Sequence, residues 1–130
     1  MRHVQRALAI GSIVFMNVWT SADQAPGLSR VMRQKLARSQ AILGAVITSD
    51  WAALDRESRA LALATRDRAW STPLTEREYL RQSDAFSAAL QSLIEAGAKR
   101  DLEAAGGRYI ALTTTCVQCH LYVSRRRIAR

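Results

Sequence analysis

The sequence predicts an all-α fold: an antiparallel, up-down-up-down bundle of four helices in a single domain. Three observations carry this. Apolar residues recur at three- and four-residue steps from Leu28 to Val123, which is the period of a helix with one buried face. No stretch alternates as a half-buried strand would. The connections between periodic segments are short, so sequential helices are expected to lie as antiparallel neighbours. No internal repeat or low-complexity linker interrupts the pattern.

The first helix is expected over about Leu28 to Ser49, with Leu28, Val31, Met32, Leu36, Ile42, Leu43, Val46 and Ile47 on its inward stripe. Asp50 has the short side chain that caps a helix N-terminus. It opens a second helix that turns Trp51, Leu54, Ser58, Leu61 and Thr65 inward and ends before "WSTP" at residues 70–73. Thr75 and Glu78 have the spacing of a capping box for the third helix, whose stripe is Tyr79, Phe86, Leu90, Leu93 and Ile94. Gly97 weakens its end, and Asp101 caps the fourth helix. That helix buries Leu102, Tyr109, Leu112 and Thr113, then Cys116, Cys119, His120 and Val123. Gly106 and Gly107 interrupt it and would suit the close approach of another helix.

The N-terminus reads as a leader. Arg2, His3 and Arg6 are followed by the apolar run "ALAIGSIVFMNVW" and then by small residues, so cleavage is expected after Ala22, with Ala25 the alternative. The apolar run is shorter than the roughly 20 residues of a membrane span; an uncleaved anchor is the other reading. Residues 1–22 are thus taken as a signal peptide and 23–130 as one mature domain, exported to the periplasm.

All the cysteines of the chain lie in "TTTCVQCHLYV": Cys116, Cys119 and His120 spell C-x-x-C-H. Covalent haem attachment, a thiol–disulfide pair and half of a zinc site all use this pattern. Structural zinc requires four ligands, and the only other histidine, His3, falls in the leader. A redox dithiol belongs at a helix start, where the dipole lowers the thiol pKa, whereas this motif comes late in a helix. On one helical face, two thiols can form thioethers to haem vinyl groups while the imidazole meets the iron. The motif and its exported context favour one haem c. No Ser-His-Asp set, paired carboxylates or phosphate loop supports hydrolytic or transfer chemistry, so the chain is not read as an enzyme.

The mature chain resembles the class II c-type cytochromes, cytochrome c-prime and its low-spin relatives, over about Leu28 to Arg125. The resemblance is carried by "VMRQKLARSQAILGAVITSDW", "YLRQSDAFSAALQSLIEAGAKRDLEAA" and "CVQCHLYV". It implies a four-helix bundle with haem on Cys116 and Cys119 and His120 as the proximal iron ligand. It also implies that the opposite face of the iron belongs to the first helix. A methionine there gives a six-coordinate electron carrier, and an apolar residue leaves the iron open to nitric oxide or carbon monoxide. Met32 and Leu36 stand one turn apart at that place, and Met32, the only methionine past the leader, is taken as the ligand. Arg33 is the candidate for a haem propionate, as an arginine in this region is in relatives. Many relatives also carry an arginine four residues after the ligand histidine; here that position is Ser124, and Arg125 follows it. The resemblance implies, finally, that homodimers form through the first two helices in many members.

The chain carries a net charge of +8. Arg125, Arg126, Arg127 and Arg130 gather part of it just beyond the motif, where an acidic redox partner would be steered toward the cofactor; nucleic acid is not the expected partner. The expected function is therefore one-electron transport, with gas binding by a five-coordinate haem as the alternative.

Overall fold

The computed structural model describes residues 26–71 and 76–128, which are all helix and turn. The expected leader, Thr75 and Arg130 lie outside them. Five helices follow in order: α1 (Pro26–Ile47), α2 (Trp51–Ala64), the single turn α3 (Arg68–Ser71), α4 (Arg77–Ala98) and α5 (Leu102–Ile128). The four long ones form a helical bundle; no strand occurs among the described residues.

Two turns of the same build join α1 to α2 and α4 to α5. Ser49 and Arg100 take left-handed backbone conformations, with φ of 54° and 53°. The amide after each bonds five residues back, Asp50 N to Ala45 O at 2.9 Å and Asp101 N to Ala96 O at 3.3 Å. This is the Schellman arrangement, which satisfies carbonyls that a helix end leaves open. The same aspartates then cap the next helix: Asp50 Oδ1 accepts from Ala53 N at 3.0 Å and Asp101 Oδ1 from Ala104 N at 2.9 Å. Both caps agree with the sequence expectation. α4 differs, since Glu76 is its N-cap residue and makes no side-chain cap bond. The Glu78 carboxylate instead binds Arg81 and Gln82, which holds it well below the usual carboxylate range, at about 2.

The core runs through Ile42, Leu54, Leu61, Phe86, Leu90, Leu93, Ala105 and Leu112. α2 and α4 approach closely at Gly97: a Cβ there would lie 2.8 Å from Leu54 Cδ2. Gly97 is therefore a packing requirement rather than a weak helix end. Gly106 and Gly107 have no such neighbour within 4 Å, so the close approach of another helix does not explain them. Leu36, Leu43 and Ile47 are exposed on α1, as are Leu102, Thr113 and His120 on α5. The buried α1 stripe is Val31, Lys35, Ile42, Ala45 and Val46, rotated from the expected one because α1 turns toward α2 and leaves its other flank open. Glu57, buried on α2, accepts from Arg38 of α1 at 2.7 Å and from Arg56 at 3.0 Å, and these bonds lower its pKa.

Candidate cofactor site

α4 packs along α5, α1 along α2, and α2 against α4, whereas α1 and α5 meet only sparsely. The gap between α1 and α5 opens into two clefts that share walls. One encloses about 770 Å³, solvent-open space included, and is lined by Met32, Lys35, Leu36 and Ser39 of α1, Leu61 of α2, Trp70, Gln82 and Phe86, and Leu112, Thr113, Thr115, Cys116, Cys119 and His120 of α5. The other, about 840 Å³, is lined by Leu28, Met32, Tyr79, Cys119, His120, Val123 and Ser124. Met32, Cys119 and His120 belong to both.

α5 continues unbroken through the motif, so Cys116, Cys119 and His120 stand at i, i+3 and i+4 on one face. Both thiols are free and half-buried. Burial pushes the Cys119 thiol up, against the opposing charge of Lys35; a nucleophilic dithiol requires the reverse shift. His120 is on the exposed rim and Met32 is half-buried on the facing helix. Leu36 is 60% exposed although it lines the cleft, so this large apolar side chain is left for an occupant to cover. Among the described residues, no group of three or more His, Cys, Asp or Glu side chains is gathered to hold a metal ion. A haem iron asks less of the chain, since the porphyrin supplies four of its ligands.

No protein-family model, curated protein or solved structure matches this chain.

The site therefore rests on its own residues, and they fit a haem. The cleft walls are mainly apolar and aromatic, as a macrocycle needs, and the thiols, an imidazole and a thioether all face into the same gap. Arg33 does not line it: its side chain is exposed and donates to Ser29 Oγ at 2.7 Å. Ser124 lines the second cleft and its hydroxyl donates to Leu121 O at 3.0 Å. Arg125 is exposed. Arg126 pairs with Glu76 at 3.4 Å, which draws part of the expected basic cluster back onto α4.

The sequence misses Lys35; it places Trp70 among the aromatic residues able to touch a porphyrin but assigns it no function. Trp70, on α3, is 5.6 Å from Tyr79 and 6.2 Å from Phe86 between ring centroids and forms a wall of the cleft. Lys35 is 9% exposed, and its Nζ lies 3.6 Å from the centroids of both Trp70 and Phe86. Its position three residues after Met32 and seven before Ile42, on the apolar stripe, was the available signal.

Proposed function

We propose that this protein is an exported, periplasmic c-type cytochrome that carries one electron on a haem attached to Cys116 and Cys119. The observation that carries the proposal is the convergence of Cys116, Cys119, His120 and Met32 on the one loosely closed side of the bundle. The antiparallel, up-down-up-down arrangement belongs to the same reading. It is supported by the tight turns after α1 and α4 and by two ties between distant chain positions, Arg30 to Asp67 at 2.9 Å and Tyr122 to Glu76 at 2.7 Å.

When bound, the haem supplies a ferric–ferrous couple; the chain determines its coordination and surroundings. Cys116 and Cys119 would tether it, His120 would supply a nitrogen ligand to its iron, and the Met32 thioether, a soft donor, would favour the ferrous state. Trp70, Phe86, Leu61 and Leu112 exclude water, and a rigid helical frame keeps reorganisation small when the charge changes. With the leader's Arg2 and Arg6 removed, the mature chain keeps a net charge of +6, which suits a weak, salt-dependent encounter with an acidic partner. Leu36, one turn from Met32 on the same cleft, supports a second reading, in which the iron is five-coordinate and binds nitric oxide or carbon monoxide.

The optical spectrum of the haem-loaded protein, with and without carbon monoxide, tests the proposal. A low-spin ferric spectrum with a sulfur-to-iron band and no carbon monoxide response is expected. A high-spin spectrum that shifts with carbon monoxide would transfer the function to gas binding, and failure to retain haem covalently would remove the cytochrome reading.

A further inference from the structure

Ile110, Val117 and Leu121 are large apolar residues of α5, yet they stay 68%, 54% and 49% exposed. They line neither of the two clefts. At about 100° of turn per residue they lie roughly 100–140° around the helix from Cys116, on the side turned away from the core residues Ala105 and Leu112. Glu103, Gly107 and Thr114, all exposed, complete the row, which advances along α5 by alternating steps of four and three residues. That repeat is the one by which a helix seams against another helix. Among the described residues no other helix covers it.

The row is acidic at one end and basic at the other. Glu103 begins it, and Arg125, one turn past Leu121, ends it; both are exposed and, among the described residues, neither forms an ion pair. Two copies of α5 laid parallel would set like charges together at each end, whereas an antiparallel pair sets each acid beside a base. The row is thus complementary to its own reverse. A twofold axis midway between Ile110 and Leu121 seats Ile110 of each chain on the partner's Leu121 and Thr114 on the partner's Val117. Gly107 and Ser124, both small, then let the helices close at the ends, and Glu103 comes within one helical turn of the partner's Arg125.

We propose that the outer face of α5 is a self-association surface, on which two copies of this chain pair antiparallel through Ile110, Thr114, Val117 and Leu121, with Glu103 of each facing Arg125 of the other. The contact is isologous, the same patch serving both chains. It differs from the dimer through the first two helices that the family resemblance implies, and it does not depend on what fills the cleft. Its axis is level with Cys116, so the pairing brings the two C-x-x-C-H turns to the middle of the dimer.

The test is sedimentation equilibrium on the full chain as isolated, with circular dichroism to show that each variant is folded. The wild type should exchange reversibly between monomer and dimer. Ile110→Lys should weaken association at least about tenfold, whereas Ile47→Lys, which adds the same charge to the exposed flank of α1, should leave it unchanged. Glu103→Arg should weaken it about fivefold or more, and Glu103→Arg/Arg125→Glu should restore it to within about twofold of wild type. The double variant lacks the same acid at the helix start, so its recovery reports the contact between chains and not the strength of the helix. A chain still monomeric at about 1 mM refutes the proposal in favour of a foreign partner for the row. A dimer untouched by Ile110→Lys, or abolished by Ile47→Lys, also overturns it, the latter by placing the interface on α1. Failure of the double variant to recover overturns the antiparallel pairing. If Ile110→Lys does not fold, the charge exchange between positions 103 and 125 decides alone.

Discussion

The Tyr109 hydroxyl donates to the Ser39 carbonyl at 3.1 Å and lies 3.3 Å from the Ser39 hydroxyl. It thereby ties α5 to α1 beside the cleft, where the two helices otherwise meet little. Tyr109→Phe removes this tie and keeps the ring. A loss of about 1 kcal/mol is expected, measured by urea denaturation, together with weaker retention of whatever occupies the cleft. An unchanged denaturation midpoint would mean that the tie is not formed in solution.

Ser49 and Arg100 occupy left-handed conformations that cost an ordinary residue about 1 kcal/mol and glycine far less. Ser49→Gly and Arg100→Gly are each expected to stabilise the chain by about 0.5–1 kcal/mol. The turns belong to different helix pairs, so the two gains should add. Thermal unfolding of the single and double variants checks both the sign and the sum.

Ser58 is fully buried on α2 and its hydroxyl has no hydrogen-bond partner. Burying such a group without a partner is unfavourable. Ser58→Ala should therefore raise stability by about 1 kcal/mol. A measured loss would point to an internal water bound to this hydroxyl.

A methyl group at Gly97 would meet Leu54 at 2.8 Å. Helix propensity alone favours alanine by about 1 kcal/mol, and overpacking costs about 1–3 kcal/mol. Gly97→Ala should destabilise by about 1 kcal/mol on balance, whereas in a Leu54→Ala background, where the clash is gone, the same change should stabilise by about 1 kcal/mol. A stabilised Gly97→Ala chain would show that α2 and α4 can separate at no cost.

Lys35 adds a dependence on pH. Its pKa in the fold is about 8, lowered from 10.5, so between these values the unfolded chain holds more protons and stability rises with pH. Below pH 8 the penalty is fully present, on the order of a few kcal/mol. Tyr79, pushed up to about 12 by burial, acts in the opposite sense above about pH 10. A comparison with Lys35→Met isolates the lysine. The variant should be the more stable at pH 7, and its advantage should shrink toward pH 10.5. A constant difference would place the ammonium in solvent.

The helices, the aspartate caps at Asp50 and Asp101, and the placing of two thiols and an imidazole on one face of α5 were determined by the sequence alone. Each depends on residues within about four positions of one another, and such local relations survive whatever the rest of the chain does. Tertiary structure decided which flank of α1 is buried, that Gly97 makes room for Leu54, and that Lys35 lines the cleft while Arg33 does not. An apolar stripe indicates that a face is covered but not by which neighbour. A lysine is drawn inward only once Trp70 and Phe86, from two other helices, come together around its ammonium.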